Sequence, residues 1–267
     1  MELFSKLVTP VLMLNVKSFT VGEIPCEWVS PEYPHRKDKV ILYCHGGGYT
    51  CGKLGYARIL ANKLATHTGI ETVSFEYRLA PENPYPAQIE DALKVWDHLM
   101  MLGYGANNVF LAGDSAGGNL ALELVLKLKE QQRLLPGALI LMSPWTDMRA
   151  ESSTYESLKD KDPTITKDYV LSVRSAYAGP EADFEDPALS PLFADLEGFP
   201  PTLIQVGSNE ILRDDSEKLT KKLMKADSYA KLEVYTGGWH VFQQMPIPKA
   251  AHALDSVRDF ITKITEQ

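Results

Sequence analysis

From Val40 to the C-terminus, short apolar runs alternate with longer segments of helical periodicity. The apolar runs have the length of buried strands, and they predict strands at Val40–Cys44, Glu71–Phe75, Val109–Ala112, Ala138–Met142, Leu203–Val206 and Leu232–Tyr235. The longer segments predict helices at Ala57–Thr68, Gln88–Leu102, Asn119–Gln132, Asp214–Asp227 and Pro248–Thr265. This alternation is typical of a mostly parallel sheet with helices on both faces.

Two regions do not follow this alternation of strand and helix patterns. Lys17–Val29 predicts an earlier pair of strands, and Trp145–Pro201 contains no clear strand. Within the second region, Lys167–Tyr177 predicts a helix with Thr166 as its N-cap. We interpret this region as an insertion above the sheet, joined there by the first twenty residues. A linker between two domains is the alternative; it is disfavoured because strands continue on both sides and no Gly/Ser-rich boundary appears.

Composition narrows the class of protein. The 267 residues are 45% hydrophobic and 23% charged, which suits one large α/β domain spanning the whole chain. A net charge of −8, with no basic run, argues against a nucleic-acid partner. No apolar stretch is long enough to span a bilayer, and the apolar segment before Leu14 is broken by Pro10 and lacks a cleavage site. We therefore expect no membrane span and no signal peptide.

The number and spacing of the cysteines indicate the cellular compartment and bear on metal binding. Cys26, Cys44 and Cys51 have neither metal-type spacing nor the even count of a disulfide framework. We expect a reducing, cytoplasmic location, no metal and no cofactor.

One segment carries the strongest chemical signal. In Gly113–Asn119, Ser115 lies between glycines two residues away on either side, after an apolar strand and before a helical pattern. G-x-S-x-G in this context predicts a nucleophile elbow, a tight strand-to-helix turn that presents the serine hydroxyl. The five-residue pattern alone is weak, so the interpretation depends on its flanks and on the partners available to the serine.

A serine hydroxyl needs a base, and the base needs a carboxylate. Of the six histidines, His240 alone lies in the loop directly after the last predicted strand, at the sheet edge where α/β proteins bind ligands, whereas His252 falls in the last predicted helix. The acid is expected between serine and histidine in the chain. Glu210 is the first carboxylate after the strand Leu203–Val206; Asp214 and Asp215 are competitors that also suit the first turn of the next helix.

The developing negative charge of the transition state also needs donors. Gly46, Gly47 and Gly48 follow the strand Val40–Cys44, and consecutive glycines let backbone N–H groups turn toward a ligand. Together with the N–H of Ala116, they predict an oxyanion hole. A phosphate-binding loop is the alternative, but the lysine and hydroxyl it requires do not follow the glycines.

Three motifs in the expected order resemble one known family. His45–Tyr49, Gly113–Asn119 and Tyr77–Ala87 are similar to the hormone-sensitive-lipase-like branch of the α/β-hydrolase superfamily, the bacterial esterases with an HGGG motif. The resemblance implies the α/β-hydrolase fold with Ser115 as nucleophile and His240 as base. Glu210 stands where most members have aspartate. The family's small helical cap corresponds to residues 1–20 and 145–199.

These observations together predict a serine carboxylesterase acting on small-molecule esters with short acyl chains. Aromatic side chains beside the motifs, Tyr49, Trp145 and Trp239, are expected to line the substrate pocket, although Trp239 equally suits a packing role. The sequence leaves open a homo-oligomer, a non-catalytic receptor on the same fold, and a hydrolase for lactones, amides or acetylated sugars.

Overall fold

The computed structural model describes residues 14–266, and its strands form one eight-stranded sheet. The strands are β1 (Leu14–Val21), β2 (Ile24–Pro31), β3 (Arg36–Cys44), β4 (Ile70–Phe75), β5 (Val109–Asp114), β6 (Ala138–Met142), β7 (Thr202–Gly207) and β8 (Ala230–Tyr235). Their order is β1-β2-β4-β3-β5-β6-β7-β8. The pairs β1–β2 and β2–β4 are antiparallel, and every other pair is parallel. The predicted mostly parallel sheet is confirmed.

Helices cover both faces of this sheet. They are α1 (Leu54–Thr68), α2 (Ala87–Met101), α3 (Ala116–Glu130), α4 (Thr154–Ser157), α5 (Lys167–Ala178), α6 (Arg213–Lys225) and α7 (Pro248–Thr265). Buried side chains of α2, α3 and α6 share one hydrophobic core, and those of α1 and α7 share a core on the opposite face. None of the helices within residues 14–266 is both long enough and apolar enough to cross a membrane.

The parallel strands bring the candidate motifs to one edge of the sheet. Because β3, β5, β6, β7 and β8 run in the same direction, their carboxyl ends are neighbours. Cys44 pairs with Gly113 and Asp114 with Met142, so the loops after β3, β5 and β6 begin at the same level. The loops after β7 and β8 begin beside them, where Gly207 pairs with Tyr235.

The insertion between β6 and β7 is helical, as predicted. The structure places α4 and α5 there, with no strand between Ser143 and Pro201. The hydroxyl of Thr166 accepts a hydrogen bond of 3.2 Å from the N–H of Tyr169, which caps α5. At the other end of α5, the ring of Tyr177 stacks on Tyr49 with 3.9 Å between centroids. This contact seats the helix against the loop that follows β3.

Part of the segment expected to form the N-terminal cap is instead a strand of the sheet. Residues 14–20, assigned from sequence to the cap, belong to β1, which pairs with β2 along its whole length at the edge of the sheet. Leu14 and Val16 pack toward one core and Phe19 toward the other, so this segment is stabilised as a strand of the sheet. The strand pair predicted within Lys17–Val29 is confirmed. Residues 1–13, the rest of the expected N-terminal cap, lie outside the described residues.

Candidate active site

Ser115 occupies a strained turn between β5 and α3. Its φ of 54° and ψ of −122° lie in a region that non-glycine residues rarely adopt. A Cβ on Gly113 would lie 2.2 Å from the carbonyl oxygen of Gly117, and a Cβ on Gly117 would lie 2.1 Å from that of Cys44. Only glycine fits at both positions, so the elbow geometry follows from the spacing of these two residues around the serine.

The base predicted from sequence reaches this serine. His240 Nε2 lies 2.9 Å from Ser115 Oγ, although the residues are 125 positions apart in the chain. The distance is that of a hydrogen bond in which the neutral imidazole accepts the hydroxyl proton. His240 is followed by Val241 at φ 52°, a tight turn that directs the ring toward the elbow.

Glu210 faces the other ring nitrogen. Its Oε1 lies 3.6 Å from His240 Nδ1, and both atoms are buried with no hydrogen-bond partner among the described residues. The second carboxylate oxygen, Oε2, accepts hydrogen bonds of 2.8 Å from Ser143 Oγ and from the N–H of Gly207. One oxygen is therefore held by the protein, and the other is left for the imidazole.

The two competing carboxylates point elsewhere. Asp214 accepts hydrogen bonds from the hydroxyl of Ser153 and the N–H of Thr154, at 2.6 and 3.3 Å. Asp215 is fully buried and accepts from the N–H groups of Thr146 and Asp147, each at 3.2 Å. Both fasten α6 to the insertion, and neither contacts His240.

The charges around His240 favour its protonated form. Burial, the largest single influence, lowers the pKa of His240, but the contact with Glu210 and its charge outweigh burial. The carboxylates of Asp162 and Asp114 act in the same direction. The net effect raises the pKa of His240 above its usual value of 6.5, as stabilisation of an imidazolium requires.

The glycine loop after β3 lies beside the serine strand. Gly47 and Gly48 have φ values of 116° and 60°, and no hydrogen bond from either N–H occurs within residues 14–266. Ala116 is the first residue of α3, where an N–H has no intrahelical acceptor. These three N–H groups are available as donors.

Gly46, the other predicted donor, is already engaged. Its N–H donates 2.9 Å to Asp114 Oδ1, and Asp114 also accepts hydrogen bonds from the hydroxyls of Tyr43 and Tyr56. Burial raises the pKa of Asp114, and these hydrogen bonds partly oppose that effect. The carboxylate preceding Ser115 thus fixes the start of the glycine loop, a role that sequence reasoning missed.

His45 is a second histidine close to the glycines, but it cannot serve as the base. It is fully buried, stacks on Tyr77 at 4.2 Å and places Nδ1 2.7 Å from the carbonyl oxygen of Gly46. Burial lowers its pKa to about 4, so the ring is neutral and holds the loop in place.

The three aromatic residues expected to line the substrate pocket differ in their exposure. Tyr49 is fully buried and donates 2.7 Å to Asn119 Oδ1. Trp145 is 2% exposed, and its backbone N–H donates 3.1 Å to the carbonyl oxygen of Ser115. Trp239 is half-buried against Phe242 and α7. Tyr49 and Trp145 are therefore enclosed beside the candidate catalytic loops, whereas Trp239 packs against α7 and its pocket-lining role stays a prediction.

Residues 41–244 match the family model described as the alpha/beta hydrolase fold. This match covers most of the chain and includes the elbow, the glycine loop and both partners of the serine. The chain belongs to the α/β-hydrolase fold family. The fold class expected from the three motifs is confirmed.

Relatives of this α/β hydrolase are esterases. It is 38% identical over 228 residues to an esterase of Acinetobacter venetianus, covering 85% of this chain and 75% of the relative. It is 34% identical over 250 residues to an acetyl-hydrolase of Streptomyces hygroscopicus, covering 92% and 82%. The crystal structure of an esterase from the bacterial hormone-sensitive lipase family superposes with a TM-score of 0.92 at 34% identity, covering 98% of this chain and 89% of that one. The resemblance to that branch is confirmed, and the α/β hydrolase is a carboxylic ester hydrolase.

Proposed function

We propose that this enzyme is a serine carboxylesterase for short-chain acyl esters, with Ser115, His240 and Glu210 as its catalytic triad. The observation that carries the proposal is the distance of 2.9 Å between His240 Nε2 and Ser115 Oγ, with the free oxygen of Glu210 facing Nδ1. This is the arrangement by which a hydroxyl, an imidazole and a carboxylate act together on an acyl group.

The reaction follows from these positions. Ser115 Oγ attacks the ester carbonyl carbon while His240 Nε2 takes the hydroxyl proton, and Glu210 stabilises the resulting imidazolium. The carbonyl oxygen becomes an oxyanion that accepts hydrogen bonds from the N–H groups of Gly47, Gly48 and Ala116. Collapse of the intermediate expels the alcohol with the proton from Nε2. Water then attacks the acyl-serine in the same way and releases the carboxylic acid.

The preference for short acyl chains rests on the cap and on the relatives. Helix α5 lies on the glycine loop, where a Cβ on Gly48 would meet Tyr169 Oη and Val173 Cγ2, each at 3.0 Å. Space above the oxyanion donors is therefore limited on that side. The Streptomyces relative is named an acetyl-hydrolase, and the crystal of a structural neighbour with a TM-score of 0.91 was soaked with p-nitrophenyl butyrate.

A cytoplasmic location is part of the same proposal, since all three cysteines are free thiols.

Hydrolysis of p-nitrophenyl esters from acetate to decanoate tests the proposal. We expect the highest kcat/KM for acyl chains of about two to six carbons. Ser115→Ala should hydrolyse these esters no faster than the uncatalysed reaction. The variant should unfold at a temperature close to that of the wild type, because the hydroxyl contributes one partly buried hydrogen bond. Turnover of p-nitrophenyl acetate by Ser115→Ala at the wild-type rate would refute the assignment of the nucleophile.

A further inference from the structure

Ser143 links the loop of the acid to the loop of the base. It follows β6 directly, is fully buried, and adopts φ 50°, which is unusual for a residue with a side chain. Its hydroxyl donates 2.8 Å to Glu210 Oε2 and accepts 3.1 Å from the N–H of Val241, the residue after His240. A single oxygen atom thus contacts both loops.

The direction of these two hydrogen bonds determines what the hydroxyl can do. A serine hydroxyl has one proton to donate and lone pairs to accept, so it suits a carboxylate on one side and an N–H on the other. Its bond to Oε2, together with that from Gly207, leaves Oε1 as the oxygen that faces His240. Its bond from Val241 holds the backbone at the point where the chain turns the imidazole toward Ser115.

The backbone of Ser143 is itself fixed. Its N–H donates 2.7 Å to the carbonyl oxygen of Gln205 in β7, the strand that precedes Glu210. The hydroxyl is therefore held at a fixed place relative to the acid loop. We propose that Ser143 is a positioning residue that sets the acid and the base in register for proton transfer. This inference rests on the proposed triad and adds to it a group that touches no substrate.

Ser143→Ala, with Ser190→Ala as a matched control, tests the role of the hydroxyl. Ser190 is also a fully buried serine whose hydroxyl bridges two groups: it accepts 2.8 Å from the N–H of Met148 and donates 2.7 Å to the carbonyl oxygen of Phe184. Both variants lose two hydrogen bonds of a fully buried serine, but of the two residues only Ser143 contacts the triad loops. We expect Ser143→Ala to lower kcat by about 10- to 100-fold with little change in KM, the rate equivalent of a hydrogen bond to a charged group.

The control and a conservative variant make the test decisive. Ser190→Ala should lower the melting temperature by a similar amount and keep kcat within about threefold of the wild type. Ser143→Cys retains a weaker donor, so its kcat should fall between the wild type and Ser143→Ala. A kcat of Ser143→Ala equal to that of Ser190→Ala would overturn the inference. If Ser143→Ala does not fold, wild-type kcat in Ser143→Cys would overturn it instead.

Failure of the positioning role of Ser143 can be distinguished from failure of the proposed triad. Should Ser115→Ala be inactive while Ser143→Ala is fully active, the positioning role fails and the proposed esterase mechanism stands. If Ser115→Ala retains full turnover, the mechanism fails first, whatever Ser143→Ala does.

Discussion

At the scale of single residues, the free oxygen of Glu210 is the feature that distinguishes it from its neighbours. Its side chain is fully buried, one oxygen is held by Ser143 and Gly207, and the other faces His240. Asp214, four residues later, makes its contacts with Ser153 and Thr154 instead. The sequence alone left these carboxylates as competitors because each follows the same strand closely.

Exchanging each carboxylate for its amide separates them. Glu210→Gln should lower kcat by about 100- to 10,000-fold, because an amide neither stabilises the imidazolium nor fixes its tautomer. Asp214→Asn should keep kcat within about threefold, since within residues 14–266 the side chain of Asp214 accepts its hydrogen bonds from the insertion. The measurement is steady-state hydrolysis of p-nitrophenyl acetate. The opposite ranking would identify Asp214 as the acid.

The pH dependence follows from the charge on His240. Only the neutral imidazole can accept the serine proton, so kcat/KM should fall as the pH drops through the pKa of His240. Because Glu210 and its neighbours raise that pKa, the midpoint should lie above 6.5. In Glu210→Gln the residual activity should show a midpoint at lower pH. A wild-type rate that stays constant well below pH 6.5 would argue against a histidine base.

At the scale of elements, the contact between α5 and the glycine loop connects the insertion with the site. The ring of Tyr177 stacks on Tyr49 directly after Gly48, and the backbone N–H of Tyr85 donates 2.8 Å to the carbonyl oxygen of Tyr177. The glycine loop therefore has β3 on one side and a helix on the other, which restricts the conformations of its N–H groups.

Two glycines of similar conformation test this contact. Gly48 has φ 60° beneath α5, whereas Gly69 has φ 67° with nothing within 4 Å of an added Cβ. Replacing Gly69 with alanine should cost about 1–2 kcal/mol in stability, the strain of a left-handed L-residue, and replacing Gly48 should cost more because its methyl group also meets α5. Only Gly48→Ala should also lower kcat, because its methyl group must displace α5 or the loop. Chemical unfolding and steady-state kinetics measure both effects; equal kcat losses in the two variants would contradict the account.

Helices and strands with a strong local pattern could be predicted from the sequence. The residues at which they begin and end could be predicted less accurately. β6 and α7 match the expected Ala138–Met142 and Pro248–Thr265 at both ends. Helix α3 begins at Ala116, three residues earlier than expected, because Gly117 and Gly118 extend the elbow into the first turn despite their low helix propensity. Tertiary contacts decide that boundary, and the periodicity of the chain does not contain them.

Within the candidate site, too, the sequence indicated some residues but not the long-range contacts between them. Ser115, His240 and Glu210 could be selected because each follows a strand of a recognisable pattern. Ser143 and Asp114 could not be assigned roles, since their partners are 67 and 68 positions away and depend on strand order. The sequence could not decide whether Tyr49, Trp145 and Trp239 line the substrate pocket, because aromatic residues beside motifs serve equally well as supports within the core.

At the scale of the whole molecule, buried carboxylates couple stability to pH. Burial, with the charge of Asp147, raises the pKa of Asp215 from 3.8 to about 7. The folded chain therefore retains a proton that the unfolded chain releases as the pH rises above 3.8, so this group's contribution to stability falls between those two values.

Asp215→Asn removes this titration. The free energy of unfolding of the wild type, measured by urea denaturation, should decrease relative to that of Asp215→Asn between about pH 4 and pH 7. The two curves should run parallel above that window. Parallel curves throughout would show that Asp215 does not titrate on unfolding in this range.

The proposed triad makes one hydroxyl far more reactive than any other in the chain, and a fluorophosphonate probe measures that reactivity without an assumed substrate. Mass spectrometry of the labelled protein should place the phosphonyl group on Ser115 at a stoichiometry near one, and His240→Asn should slow labelling by at least about 100-fold. Labelling at another residue, or at an undiminished rate in His240→Asn, would contradict the account.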